Sequence, residues 1–103
     1  MPLVKTSLNA VTADAIGSVL SFDTPRSFCG AQVVVSGASA SGSVSIEGSL
    51  NGTDFFTIGS AAIAPDNTMF IQGSGMVVLH LRARLGGFSG SATVTAIVAG
   101  AAA

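Results

Sequence analysis

The chain has 103 residues, which suits one domain with a modest core. Charged residues make up only 9% of the sequence, against about 25% in an average soluble domain. Hydrophobic residues reach 49%, and the formal net charge is -1. This hydrophobicity argues against disorder, and the small net charge argues against nucleic-acid binding. Gly, Ser and Thr interrupt every apolar run, which argues against a membrane span. Few charges beside many small apolar residues indicate a subunit that another chain covers.

The first part of the chain is weakly patterned. We predict an N-terminal arm over residues 1–16, either extended or with a short helical turn. From Gly17 onward apolar and polar residues alternate with the period of two that is typical of strands. Residues 18–22 and 31–36 are predicted strands. They are separated at Asp23-Thr24-Pro25, because proline lacks a backbone donor and marks a turn.

The clearest local signal is a hairpin over residues 43–58. Its first strand has one apolar face, made of Val44, Ile46, Gly48 and Leu50. Asn51-Gly52 follows directly, and this dipeptide suits the two positive-φ positions of a type I′ turn. We therefore predict a two-residue turn there and a return strand from Thr53 to Ile58.

The C-terminal half predicts more strands. Residues 68–72 form a short strand, Gly73-Ser74-Gly75 a break, and residues 76–85 the longest alternation. Residues 86–90 are a predicted turn, and residues 91–99 the returning strand. In the longest alternation, one predicted face is apolar, and the other carries Val78, His80, Arg82 and Arg84.

Together these runs predict an all-β protein. Its architecture is expected to be an antiparallel, jelly-roll-like β-sandwich of about seven short strands with an N-terminal arm. The expected organisation is an arm over residues 1–16, the sandwich over residues 17–99 and a C-terminal tail over residues 100–103.

The titratable residues suggest no enzyme. The only histidine, His80, lies within a strand, no serine lies in a Gly-x-Ser-x-Gly motif, and the acidic residues are scattered. Cys29 is the only cysteine, so it has no partner for an intrachain disulfide. We predict no catalytic residue, cofactor or metal site, and neither a nucleic acid nor a membrane as partner.

Two features predict binding to other proteins. The arginines on alternate positions after His80 are expected to pair either with Glu47 on a neighbouring strand or with carboxylates of a partner. The apolar excess around residues 33–35 and 97, and at the chain ends, is expected to lie in contacts. The candidate contact residues are Val33, Val35, His80, Arg82, Arg84 and Ile97.

The hairpin sequence SVSIEGSLNGTDFFTI at residues 43–58 resembles the VxVxGSLDGTNWxxL hairpin of small virion proteins of tailed bacteriophages. The segment LHLRARL at residues 79–85, followed by SATVTAI at residues 91–97, resembles the ending of the same proteins. The resemblance covers residues 17–99. Phe55 stands where that family usually has tryptophan, which weakens an aromatic platform for a sugar.

The resemblance implies a β-sandwich capsid decoration (cement) protein, made in the host bacterial cytoplasm and located on the capsid surface of the virion. Its expected partners are the major capsid protein and itself, as a homotrimer. Two alternatives remain open: a carbohydrate- or receptor-binding module using residues 51–56 and 39–41, and a tail structural subunit.

Overall fold

The computed structural model describes residues 3–101 of the chain. Every regular element in this range is a β-strand, which confirms the all-β prediction. The strands are β1 (Val4–Val11), β2 (Ala15–Ile16), β3 (Leu20–Ser36), β4 (Ala40–Ser49), β5 (Phe56–Ala62), β6 (Asn67–Gly90) and β7 (Thr93–Ala101).

All seven strands belong to one antiparallel sheet. Its order is β1-β7-β3-β6-β4-β5, and the short β2 pairs with β6 beside this path. The strand count matches the sequence prediction, but two of the strands are long. The 17 residues of β3 and the 24 residues of β6 each join two segments that were predicted to be separate.

The two long strands have to bend. At about 3.3 Å per residue, straight strands of these lengths would span roughly 56 Å and 79 Å, whereas the largest extent of the molecule is 39 Å. The β3–β6 register is irregular between Ser21 and Phe28, around Pro25. Gly75 on β6, within the Gly-Ser-Gly segment, has a φ of 84°. Proline and glycine therefore mark bends within continuous strands, where the sequence analysis predicted chain turns.

Because of these bends the sheet folds over into two layers. The first layer contains β1, β7, residues 28–36 of β3 and residues 67–74 of β6. The second layer contains β2, β4, β5, residues 20–21 of β3 and residues 78–90 of β6. Ile58 of the second layer packs directly on the backbone of Gly73 in the first, so the two inner faces enclose one core.

The core is built from alternate residues of both layers. From the first layer come Ala31, Val33, Val35, Ile71, Val94, Ala96 and Val98, and from the second Val44, Ile46, Leu81, Ala83 and Leu85. Small side chains predominate, so the layers approach closely. Packing within the second layer is also tight, because a β-carbon at Gly48 would lie 2.5 Å from Cγ1 of Val78.

The segment expected to be an N-terminal arm is part of the sheet. Val4–Val11 pairs with β7, and Ala15–Ile16 pairs with β6. Its periodicity was weak because β1 contains two register shifts and Ala10 has a φ of 50°. Leu8 is nevertheless fully buried. At the other end, Gly100 and Ala101 of the expected tail belong to β7, while residues 1, 2, 102 and 103 lie outside the described range.

The predicted two-residue turn at Asn51-Gly52 is wrong. β4 ends at Ser49 and β5 begins at Phe56, so six residues connect them, and of the pair only Gly52 has a positive φ. The Asn51 side chain stabilises this wider loop, since its Oδ1 accepts hydrogen bonds from the amides of Thr53 and Asp54, each at 2.9 Å. Asparagine therefore acts here through its side chain, in an Asx-type turn.

Candidate interaction surfaces

The six sequence-predicted contact residues lie in three different places. Val33 and Val35 are 0% and 2% exposed and point into the core. Their assignment as contact residues is therefore wrong. The reason is that β3 lies between β7 and β6, so its alternate residues point inward. Ile97 is half-buried on the outer face of the first layer.

His80, Arg82 and Arg84 lie together on the outer face of the second layer. Arg82 Nε donates to Glu47 Oε1 at 2.8 Å, and Arg84 Nη1 is 3.8 Å from Glu47 Oε2. The expected pairing with Glu47 thus forms within the chain. Val78 does not belong to this face. It is fully buried, because the inward–outward alternation of β6 shifts by one residue between Val78 and Leu81, where the β3–β6 register is irregular.

Each of these side chains already has contacts within the protein. The Arg82 guanidinium carbon lies 3.8 Å from the centroid of the Phe55 ring. His80 Nδ1 is 2.8 Å from Ser21 Oγ. Only Arg84 is largely free, with its side chain 54% exposed. The cluster therefore stabilises the β4–β6 pairing and offers one cation to a partner.

The outer face of the first layer has a different character. Opposite residues of antiparallel strands project to the same side, so the register of four strands defines this face. We call it the uncharged face, and it consists of Val4 and Thr6, of Thr95, Ile97, Ala99 and Ala101, of Phe28, Gly30, Gln32 and Val34, and of Thr68, Phe70, Gln72 and Ser74.

None of the residues of the uncharged face is ionisable. Lys5, the charged residue of β1, pairs with the buried Val98 on the other side of the strand, and its Nζ donates to the carbonyl of Val19 at 3.2 Å. Large apolar side chains are nevertheless open to solvent on this face. Phe70 is 65% exposed, Val4 57% and Phe28 49%. Aromatic and aliphatic groups on an uncharged surface are typical of protein contacts.

A concavity of about 470 Å³ opens on the uncharged face. Its lining includes Phe28, Gly30, Phe70, Ala99 and Ala101. Gly30 forms part of the floor, and a β-carbon at this position would lie 2.5 Å from Phe70 Cζ. The absence of a side chain at Gly30 therefore lets the Phe70 ring lie over the strand while one side of the ring remains in solvent.

Sequence reasoning did not identify Phe28 and Phe70 as contact residues. A signal was present for Phe70, which lies between Thr68 and Gln72 on the outward positions of β6. An aromatic residue among polar alternates marks an exposed apolar site, whereas the consecutive valines near residue 34 belong to a central strand. Leu50 is also open to solvent, although the alternation of β4 predicted it to be buried.

Other features of the described chain give little chemistry. Burial raises the pKa of the Cys29 thiol above its ordinary value, because the thiolate would be poorly solvated. Across residues 3–101 no three His, Cys, Asp or Glu side chains lie close enough together to hold a metal ion. The same residues include no helix that could span a membrane.

Comparison with known proteins gives structural neighbours only. No protein-family profile and no curated protein sequence matches the chain. The SPBc2 prophage-derived protein YomS has a similar structure, with a TM-score of 0.62 and 15% identity over 92% of this chain and 89% of that protein. PirA is also similar, with a TM-score of 0.56 and 10% identity over 97% of this chain and 86% of PirA.

At these identities the likeness establishes the fold alone.

Proposed function

We propose that this chain is a structural protein of a bacteriophage virion, which decorates and stabilises the capsid by binding the lattice of the major capsid protein. The observation that carries the proposal is the apolar surface that a nearly uncharged β-fold leaves exposed outside the uncharged face, including Ile16, Leu50 and Phe56. A partner is expected to cover such a surface. The prophage origin of a structural neighbour supports the phage setting.

The proposed mechanism is thermodynamic and involves no catalytic step. A protein that binds only the assembled shell lowers the free energy of that state, and therefore opposes its disassembly. Many copies act together on one particle, so modest contacts by each copy add up. Arg84, largely free beside the Glu47–Arg82 pair, is available for a carboxylate of the shell. The chain also associates with itself on the shell in this proposal.

A sugar-binding role has less support. Its best platform would be Phe55, but the Arg82 guanidinium lies on that ring at 3.8 Å. A stacked sugar would have to displace this cation. Glycan-array binding by the purified protein would favour the receptor-binding alternative. Long polymers of the isolated protein in electron micrographs would favour a tail subunit.

The proposal is tested with particles of the phage that encodes the chain. Particles lacking the protein are compared with complete particles in a heat and osmotic challenge, before and after purified protein is added back. We expect lower survival without the protein and recovery on addition, together with co-sedimentation of protein and capsids. Equal survival and no co-sedimentation would refute the capsid role.

A further inference from the structure

We propose that the uncharged face is the site at which a second copy of this chain binds, face to face, to form a twofold dimer. The inference deepens the self-association within the proposed function and rests on it, but it does not depend on binding to the shell. Three observations carry it: the distribution of charge, the shape of the face and its size.

The distribution of charge selects an uncharged partner surface. Burying an unpaired ion costs free energy, so a partner that placed carboxylates or ammonium groups here would lose hydration without gaining a counter-ion. A second copy presents a surface of the same composition, with Thr and Gln as its only long polar groups. Two copies can therefore close on each other without burying any charge.

The shape of the face is self-complementary. The Phe70 ring, 65% exposed, lies against Gly30 within the lining of the concavity of about 470 Å³. An enclosed space of about 150 Å³ already holds a benzene ring, so the concavity has room for the phenylalanine ring of another copy. A twofold axis repeats each contact, so the exposed side of each copy's Phe70 ring would pack against the concavity of the other. Phe28, which is 49% exposed and also lines the concavity, would add to this contact.

The size of the face is sufficient for a specific dimer. Three strands about 4.8 Å apart, with about seven residues along each, and the short segment of β1 beside them give a plan area of roughly 400 Å². Side-chain relief enlarges this area, so two such faces would bury about 1,000 Å² in total, at the lower limit for a specific interface. The decoration-protein resemblance implies a trimer, but a face that complements itself pairs about a twofold axis and does not form a threefold ring.

The test measures mass and affinity in solution by analytical ultracentrifugation of the full chain. We expect a species of twice the 10.1 kDa protomer mass for the wild type. Phe70→Glu should raise the dimer dissociation constant about 30-fold or more, as expected for a central aromatic contact. Gln32→Glu, a nearly isosteric change opposite Phe70, should raise it about tenfold by burying charge.

Two control variants separate this face from the rest of the surface. Leu50→Glu places a charge at a side chain that is 55% exposed in the β4–β5 loop. Asn67→Asp makes an equally small change opposite the inward-facing Val35. Both should leave the dissociation constant within about twofold of wild type. Circular dichroism of every variant verifies the fold, and Gln32→Glu still tests the interface if Phe70→Glu fails to fold.

Several results would overturn the inference: a monomer at 100 µM or a discrete trimer in the wild type, or a dimer that resists both face variants. Capsid co-sedimentation is measured separately. A dimer that does not co-sediment with capsids would refute the capsid role, while the proposed dimer interface would still stand. A monomer whose capsid binding is lost in Phe70→Glu assigns the face to the shell and refutes self-pairing.

Discussion

Replacing Arg82 by methionine should destabilise the protein more than replacing its ion-pair partner Glu47 by glutamine. Glu47 is 8% exposed on β4, and its carboxylate receives the Arg82 Nε hydrogen bond at 2.8 Å. Arg82→Met keeps an unbranched apolar stem but removes this donor. The carboxylate would then remain desolvated with only Arg84, 3.8 Å away, as its counter-ion.

The burial of the two partners sets the magnitude. Breaking a buried ion pair by removing one partner costs about 3–5 kcal/mol, whereas an exposed pair contributes about 0–1 kcal/mol. The side chains of Arg82 and Glu47 are 20% and 10% exposed, between these limits. We expect Arg82→Met to lower the free energy of unfolding by about 2–3 kcal/mol, including the lost contact with Phe55. Glu47→Gln retains an acceptor for Arg82 Nε, and the ion that loses its counter-charge is Arg82, the more exposed partner. This change should therefore lower the free energy of unfolding by about 1 kcal/mol.

The assay is urea unfolding at a fixed protein concentration. The chain contains no Trp and no Tyr, so far-ultraviolet circular dichroism replaces intrinsic fluorescence as the signal. An unchanged slope against urea would show that only stability has changed. Arg84→Met is the matched control, because the Arg84 side chain is 54% exposed, and it should cost less than about 0.5 kcal/mol.

Equal losses of stability in Arg82→Met and Arg84→Met, or a larger loss in Glu47→Gln than in Arg82→Met, would contradict this prediction. Either outcome would mean that desolvation of the Glu47 carboxylate does not control the stability of this cluster.

Three further predictions concern the core. Gly48→Ala should cost about 1–3 kcal/mol in unfolding free energy, because the new methyl group would overpack against Val78. Gly86→Ala, with no atom within 4 Å of the new carbon, should change it by less than about 1 kcal/mol. In the same urea assay Val33→Ala should cost about 2 kcal/mol, and Val34→Ala much less, since only the former empties a fully buried site. Burial raises the pKa of Cys29 above 9.0, so its contribution to stability is fully present below pH 9.0 and should fall as the pH rises through the folded-state pKa. Thermal unfolding across this range should show a slope that disappears in Cys29→Ala, and an identical slope in that variant would contradict the assignment.

The period-two alternation predicted the strand content correctly, because alternation is a local property of residues on a half-buried surface. Val44 and Ile46 point inward as predicted, and Arg82 and Arg84 point outward. The alternation did not predict that strands continue through Pro25 and Gly75. Turn residues have the same local signature whether the chain reverses or a paired strand bends.

Local alternation also could not tell which candidate contact residues are buried and which are exposed. The consecutive valines at residues 33–35 predicted contact with another chain. In the structure β3 lies between β6 and β7, and Val33 and Val35 lie on the side of the strand that faces the core. Phe70 occupies an outward position, and the lack of a side chain at Gly30, forty residues earlier, gives its ring a place to lie. No local pattern encodes that pairing.

The sequence alone determined that this protein is built of antiparallel strands, carries few charges and has Arg82 and Arg84 on one side of a strand, because composition and alternation are properties of neighbouring residues. Only the tertiary structure decided which apolar residues are enclosed and which remain outside. That outcome depends on strand order and on where the long strands bend, since these bring distant segments such as Gly30 and Phe70 together. The uncharged face is a product of this arrangement, because four separate segments of the chain contribute its residues.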